Sequence, residues 1–181
     1  MDVLERTAEK NVDIEQEKPR RVLFVCTGNT CRSPMAEAVV NAMAQERAER
    51  LLPKEMASMA APILEAFSAG LYPHEGEPIS AQAVLALEHQ GVLAVQGHDF
   101  HKHTAKSVER IGAETFDLLV GMSPSHAMEL LMRFPQLAGR IVTMPSPIPD
   151  PYGGSVALYE DTLCQIKAGI AQLLFSEDQA T

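Results

Sequence analysis

Val22-Leu23-Phe24-Val25-Cys26-Thr27-Gly28-Asn29-Thr30-Cys31-Arg32-Ser33-Pro34 is the stretch that decides the fold. Four apolar residues in a row, closed by a small-residue loop, fit a strand buried on both faces, as in a parallel sheet. Ser33-Pro34 then reads as a helix start. Serine is a favoured cap, and proline at the first helical position gives up an N–H that would have no partner. A loop between the carboxyl end of a strand and the amino end of a helix turns several backbone N–H groups toward one point. Such a point binds anions, phosphate above all.

Working outward, Met35, Ala38, Val39, Ala42 and Met43 recur at helical spacing from Pro34 to about Leu52, with Asn41, Gln45, Glu46, Arg47 and Arg50 on the wet face. Pro53 breaks that helix, and residues 54–65 read as a packed connector. Ala66 to Gly70 is a short second strand, and Ser80 opens a helix that Gly91 closes. Residues 92–104 are irregular, with a short helix expected over Ala105–Ile111. Phe116–Met122 is the third strand. Ser123-Pro124 starts a helix carrying Ala127, Leu130, Leu131 and Phe134. Arg140–Met144 is the fourth strand, followed by a proline-rich loop over Pro145–Pro151. A final amphipathic helix runs from Val156 to Phe175, with Leu158, Leu163, Ile166, Ile170 and Leu173 inward.

Strands alternating with helices predict an α/β fold, a small doubly wound four-stranded parallel sheet flanked by helices. The site belongs outside the carboxyl ends of its strands. Residues 1–20 read as a charged tail and 21–176 as one domain.

Composition narrows the partners. With 181 residues the chain is long enough for one core, and its formal net charge of −9 argues against nucleic acid. No apolar run approaches the roughly 20 residues of a membrane span, and the charged N-terminus has no signal-like apolar core. Three cysteines are too few for a disulfide scaffold, so a reduced, cytoplasmic setting is expected. Monomer is the expected state.

Cys26-x5-Arg32 has a mechanical reading. A five-residue loop, Thr27, Gly28, Asn29, Thr30 and Cys31, curls around a tetrahedral oxyanion, and the planar fork of Arg32 clamps two of its oxygens. Cys26 sits in line behind phosphorus, where the same donors favour its thiolate, the nucleophilic form. Ser33 is placed to assist that thiolate as a leaving group. The leaving group of the substrate also needs a proton. Asp150, bracketed by Pro149 and Pro151, is the expected acid, and then the base for water.

Other chemistries fit less well. Zinc lacks ligands, because Cys164 is far from Cys26 and Cys31 and no suitable histidine pair follows. A thioredoxin-like site fails on spacing and a Walker loop lacks GK[ST]. Cys164 is expected to be a packed core thiol on the last helix. His98, His101 and His103 read as solvated loop histidines rather than a metal cluster, and His126 as a helix-surface residue or a partner of the site. No metal or cofactor is expected.

Val25 to Ala38, VCTGNTCRSPMAEA, closely resembles the signature of the low-molecular-weight protein phosphatases. Ser68-Ala69-Gly70, Asp117 to Met122 and Asp150-Pro151-Tyr152 resemble that family's other landmarks, in order. The resemblance covers about residues 21–175. It implies metal-free hydrolysis of phosphorylated protein side chains, with Cys26 as nucleophile, Arg32 as clamp, Asp150 as general acid and Asn29 and Ser33 as loop supports. Cys31 matches a second cysteine that in the family can form a protective disulfide with the nucleophile; a buried structural thiol is the equal alternative. Tyrosine-specific members usually carry a bulky aliphatic residue where this chain has Thr30, and often a second tyrosine after Tyr152. Thr30 with Asp150-Pro151-Tyr152-Gly153-Gly154 resembles instead the bacterial protein-arginine phosphatases. Phosphotyrosine is the alternative substrate; arsenate reduction and a silent phosphate-binding module are remoter ones.

Overall fold

A computed structural model describes residues 18–51 and 62–175. Most of the expected 1–20 tail and most of the 54–65 connector lie outside them; of the tail, residues 18–20 are described, and Arg20 already belongs to the first strand. Four strands, β1 (Arg20–Cys26), β2 (Leu64–Gly70), β3 (Leu118–Gly121) and β4 (Ile141–Thr143), form one parallel sheet in the order β2-β1-β3-β4. Five helices flank it: α1 (Arg32–Arg50), α2 (Ala81–His89), α3 (Val108–Ile111), α4 (Pro124–Arg133) and α5 (Val156–Leu174).

β1 is central because its sequence can be buried on both faces. Val22 through Val25 are fully buried. Val22 and Phe24 point into one core, with Met35, Val39, Leu163 and Ile166 of α1 and α5. Leu23 and Val25 point into the other, with Val108, Phe116 and Leu130. Alternate side chains of one strand therefore serve two layers, the doubly wound arrangement.

Several local expectations are corrected. α1 starts at Arg32 with Cys31 as its cap residue, so Ser33 lies inside the first turn and is not the cap. Its hydroxyl turns instead toward Cys26. Asn41 is buried rather than wet, because its amide pairs with both the N–H and the C=O of Ala66 at 2.9 Å and ties α1 to β2. Leu158 is exposed, whereas Leu163, Ile166 and Ile170 of the same helix are buried. Cys164 is exposed, its sulfur accepting from Gln90 Nε2 at 3.3 Å, so it is not a core thiol. The expected helix over 105–111 is only the single turn of α3.

Candidate active site

Register delivers the site. Cys26 ends β1 opposite Gly70 of β2, and Val25 lies opposite Gly121 of β3. Both glycines are required by close approach. A Cβ at Gly70 would lie 2.8 Å from the Thr27 carbonyl oxygen and 3.2 Å from Asn29 Cβ. A Cβ at Gly121 would lie 2.6 Å from the Ala127 nitrogen. The loop thus packs on one neighbour of β1 and the start of α4 on the other.

Thr27 through Cys31 curl over the Cys26 sulfur. The Asn29 N–H donates to Cys26 Sγ at 3.3 Å, and Ser33 Oγ lies 3.0 Å from the same sulfur. Asn29 is left-handed, with φ of 57°, a conformation an L residue with a short polar side chain adopts at modest cost. Its fully buried side chain secures that conformation. Nδ2 donates to Ser33 Oγ (3.0 Å) and Ser68 Oγ (2.9 Å), and Oδ1 accepts from the Lys106 N–H (2.9 Å). The Asn29 carbonyl accepts from His103 Nε2 at 2.9 Å.

A carboxylate stands behind this network. Ser68 Oγ donates to Glu37 Oε2 at 2.6 Å, and His98 lies between Glu37 (3.5 Å) and Glu65 (3.0 Å). Glu37 first, then Glu65, hold the His98 pKa above its ordinary value against the effect of burial. His98 and His103, with side chains only 12% and 10% exposed, are therefore not solvated loop residues; His101, at 46%, is. Among the described residues no group of three or more histidine, cysteine or acidic side chains is arranged to hold a metal ion.

Arg32 is 7% exposed and reaches the proline-rich loop. Its Nη2 pairs with Asp150 Oδ2 at 2.7 Å and its Nη1 donates to the Ile148 carbonyl at 3.2 Å. Its Nε is buried with no hydrogen-bond partner among the described residues. A buried donor without an acceptor costs free energy, so this position suits a ligand that brings an acceptor. The Asp150 side chain is half exposed, and its Oδ1 accepts from the Tyr152 N–H at 3.2 Å. Tyr152 is 73% exposed on the rim.

Three further expected residues are placed as follows. Gly28 is partly exposed at the turn of the loop. Thr30 is 8% exposed, with Oγ1 3.7 Å from Cys31 Sγ and its carbonyl accepting from the Ser80 N–H. Cys31 is a buried thiol whose sulfur meets Tyr159 Oη at 3.1 Å. Burial pushes the Cys31 pKa up despite that bond, and burial with the neighbouring thiol pushes Tyr159 up to about 12.

His126, in the first turn of α4, is buried. Its Nε2 meets Thr27 Oγ1 at 3.1 Å and its Nδ1 meets Ser123 Oγ at 2.7 Å. Burial, then the Arg32 guanidinium, lower its pKa to about 4. Glu37, Ser68 and His103 complete the loop's support. Ser68 follows from its position near the end of β2; Glu37 lies within the Val25–Ala38 stretch and His103 in the histidine-rich segment, but nothing in the sequence assigns either to the loop.

A thiol at a strand end, under a loop clamped by a buried arginine that faces an aspartate, defines a phosphoryl-transfer site of the cysteine-dependent phosphatases. The family model described as low molecular weight phosphotyrosine protein phosphatase matches residues 21–180, and the chain belongs to that family. A protein-arginine-phosphatase of Geobacillus stearothermophilus is 29% identical over 162 residues, covering 86% of this chain and 94% of that one. A low molecular weight protein-tyrosine-phosphatase of Streptomyces coelicolor is 31% identical over 167 residues, 85% and 91% of the two chains. The crystal structure of a low molecular weight protein tyrosine phosphatase from T. tengcongensis superposes with a TM-score of 0.72 at 34% identity, covering 87% of this chain and 99% of that one.

Proposed function

We propose that this phosphatase hydrolyses phosphoarginine in proteins through a phosphocysteine intermediate. The observation that carries the chemistry is that the loop curled over Cys26 Sγ ends on a buried Arg32 whose Nε has no partner among the described residues and whose Nη2 holds the Asp150 carboxyl of the proline-rich loop. The phosphoryl oxygens take the loop N–H groups and the Arg32 donors. Cys26 Sγ then attacks phosphorus, forming the S–P bond as the P–N bond breaks. Asp150, in its acid form, gives its proton to the leaving guanidine nitrogen. In the second step water attacks phosphorus and loses its proton to the Asp150 carboxylate. The S–P bond breaks and the Cys26 thiolate leaves, accepting a hydrogen bond from Ser33. Pairing Asp150 with Arg32 in the starting structure keeps both groups at the mouth of the loop.

Thr30 supports arginine over tyrosine. A small hydroxyl side chain packed inside the loop leaves no aliphatic wall there, and the exposed Tyr152 stands beside Asp150 at the entrance. A planar, charged guanidinium with several donors suits that polar, thinly walled mouth better than a phenol does. The relative named protein-arginine-phosphatase supports the same reading; the family's name and the tyrosine phosphatase relatives favour phosphotyrosine as the second. We infer further that the chain acts as a monomer in a reducing cytoplasm, where Cys26 and Cys31 stay thiols.

Turnover of matched phosphoarginine and phosphotyrosine peptides tests the preference. The expected result is faster hydrolysis of phosphoarginine, with Thr30→Ile shifting the ratio toward tyrosine. Equal or better tyrosine turnover rejects it. Loss of all hydrolysis in Cys26→Ser is expected on either substrate.

A further inference from the structure

Thr27 is the first loop residue after the nucleophile. Its carbonyl is held by the Tyr72 N–H at 2.9 Å, and its hydroxyl meets one side chain, His126. That imidazole cannot retreat. The His126 backbone N–H donates to the Ser123 carbonyl at 3.1 Å, and α4 is pressed so closely on β3 that Gly121 admits no Cβ. A neutral imidazole has one donor and one acceptor nitrogen. The hydroxyls around it allow two directions for the chain of bonds, and each direction goes with one tautomer. Ser125 Oγ lies 2.8 Å from Ser123 Oγ, and Ser123 Oγ lies 2.7 Å from His126 Nδ1. When Ser125 donates to Ser123, Ser123 donates to Nδ1, and the imidazole proton sits on Nε2, donating to Thr27 Oγ1.

We propose that His126 is a positioning residue that frees the Thr27 hydroxyl hydrogen to donate to the phosphoryl group in the loop. The inference rests on the reading of Cys26–Arg32 as the phosphoryl-binding loop. In the ordered chain Ser125, Ser123, His126, Thr27, each member donates one bond forward and each after Ser125 accepts one from behind, so each polarises the next. The opposite tautomer consumes the Thr27 hydrogen on Nε2 and turns oxygen lone pairs on the loop, where an anion repels them. A phosphoryl dianion therefore selects the donating arrangement. Because His126 is buried and lies near the Arg32 guanidinium, it stays neutral through the physiological range, which keeps the relay one-directional. Thr27 itself is exposed at the loop mouth, so its hydroxyl has room to turn.

Steady-state hydrolysis of an aryl phosphate, with inhibition by vanadate and by inorganic phosphate, tests this in the full chain. Thr27→Val and His126→Leu are each expected to lower kcat/KM and vanadate affinity about 10-fold, the loss of a hydrogen bond to a charged group. Thr27→Ser keeps the hydroxyl and is expected to recover most of the loss seen in Thr27→Val. His126→Gln should recover part of the loss, since an amide keeps one donor and one acceptor. The Thr27→Val/His126→Leu double variant should be no worse than either single one. A Thr27→Val enzyme within twofold of the parent overturns the proposal, as does a double variant whose losses multiply. If His126→Leu does not fold, the exposed Thr27 pair decides alone. A parent chain without Cys26-dependent hydrolysis overturns the loop reading and this inference together; a parent that turns over while Thr27→Val is unaffected overturns this inference only.

Discussion

Replacing Asn29 by alanine removes the support of the loop at one stroke, and the structure sets the size of the effect. Three buried hydrogen bonds disappear: two from Nδ2 to Ser33 and Ser68, and one from the Lys106 N–H to Oδ1. Each contributes about 1 kcal/mol net. Alanine must also hold the left-handed backbone at φ 57°, which costs it roughly 1 kcal/mol. The expected loss is about 4 kcal/mol, or about 10 °C in Tm for a domain of this size. Asn29→Gly loses the same bonds without the backbone cost, so it should be more stable than the alanine variant by about 1 kcal/mol. Urea unfolding at neutral pH measures both. Activity on an aryl phosphate should fall by more than about 10-fold in each, because Ser33 and the Asn29 N–H lose their aim at Cys26. An alanine variant within about 1 kcal/mol of the parent, or a glycine variant no more stable than alanine, would show that the loop is held by something other than this side chain.

Gly70→Ala sets a Cβ against the Thr27 carbonyl, which the Tyr72 N–H pins in place, so a loss of about 1–3 kcal/mol in urea unfolding and a drop in kcat are expected. His98 gains its two carboxylate partners on folding, so its pKa is raised in the folded chain. Its contribution is fully present below the unfolded value of about 6.5 and is lost as pH rises through the folded one. The urea midpoint should therefore fall from mildly acidic into alkaline pH, and His98→Gln should flatten that slope. Cys164 is exposed and far from the loop in sequence, so alkylation of a Cys31→Ala chain at Cys164, located by peptide mass, should proceed under native conditions; Cys164→Ala should leave kcat/KM within about twofold of the parent.

The fold was legible where burial and sequence pattern coincide. The run Val22–Val25 can only be an inner strand, and a cysteine and an arginine six positions apart at its end announce the loop. Asp150 was legible because prolines on both sides mark a stiff loop after the last strand. The misreadings share a cause. Asn41 lies where helical spacing predicts solvent, but an amide is the one side chain that satisfies both polar groups of Ala66, and β2 passes there. His98 and His103 look solvated because the carboxylates beside them, Glu37 for both and Glu65 for His98, are far away in the chain. Ser-Pro usually marks a helix cap, but here Cys31 takes that place and the Ser33 hydroxyl is turned to the nucleophile. Leu158 and Cys164 lie on a helix whose inward face is narrower than its composition suggests.

β1 lies between β2 and β3, hydrogen-bonded on both sides. Opening its carboxyl end requires breaking two ladders at once, so the amides of Val22–Cys26 should be among the slowest in the chain to exchange with solvent. The nucleophile is therefore mounted on the part of the molecule least subject to local unfolding.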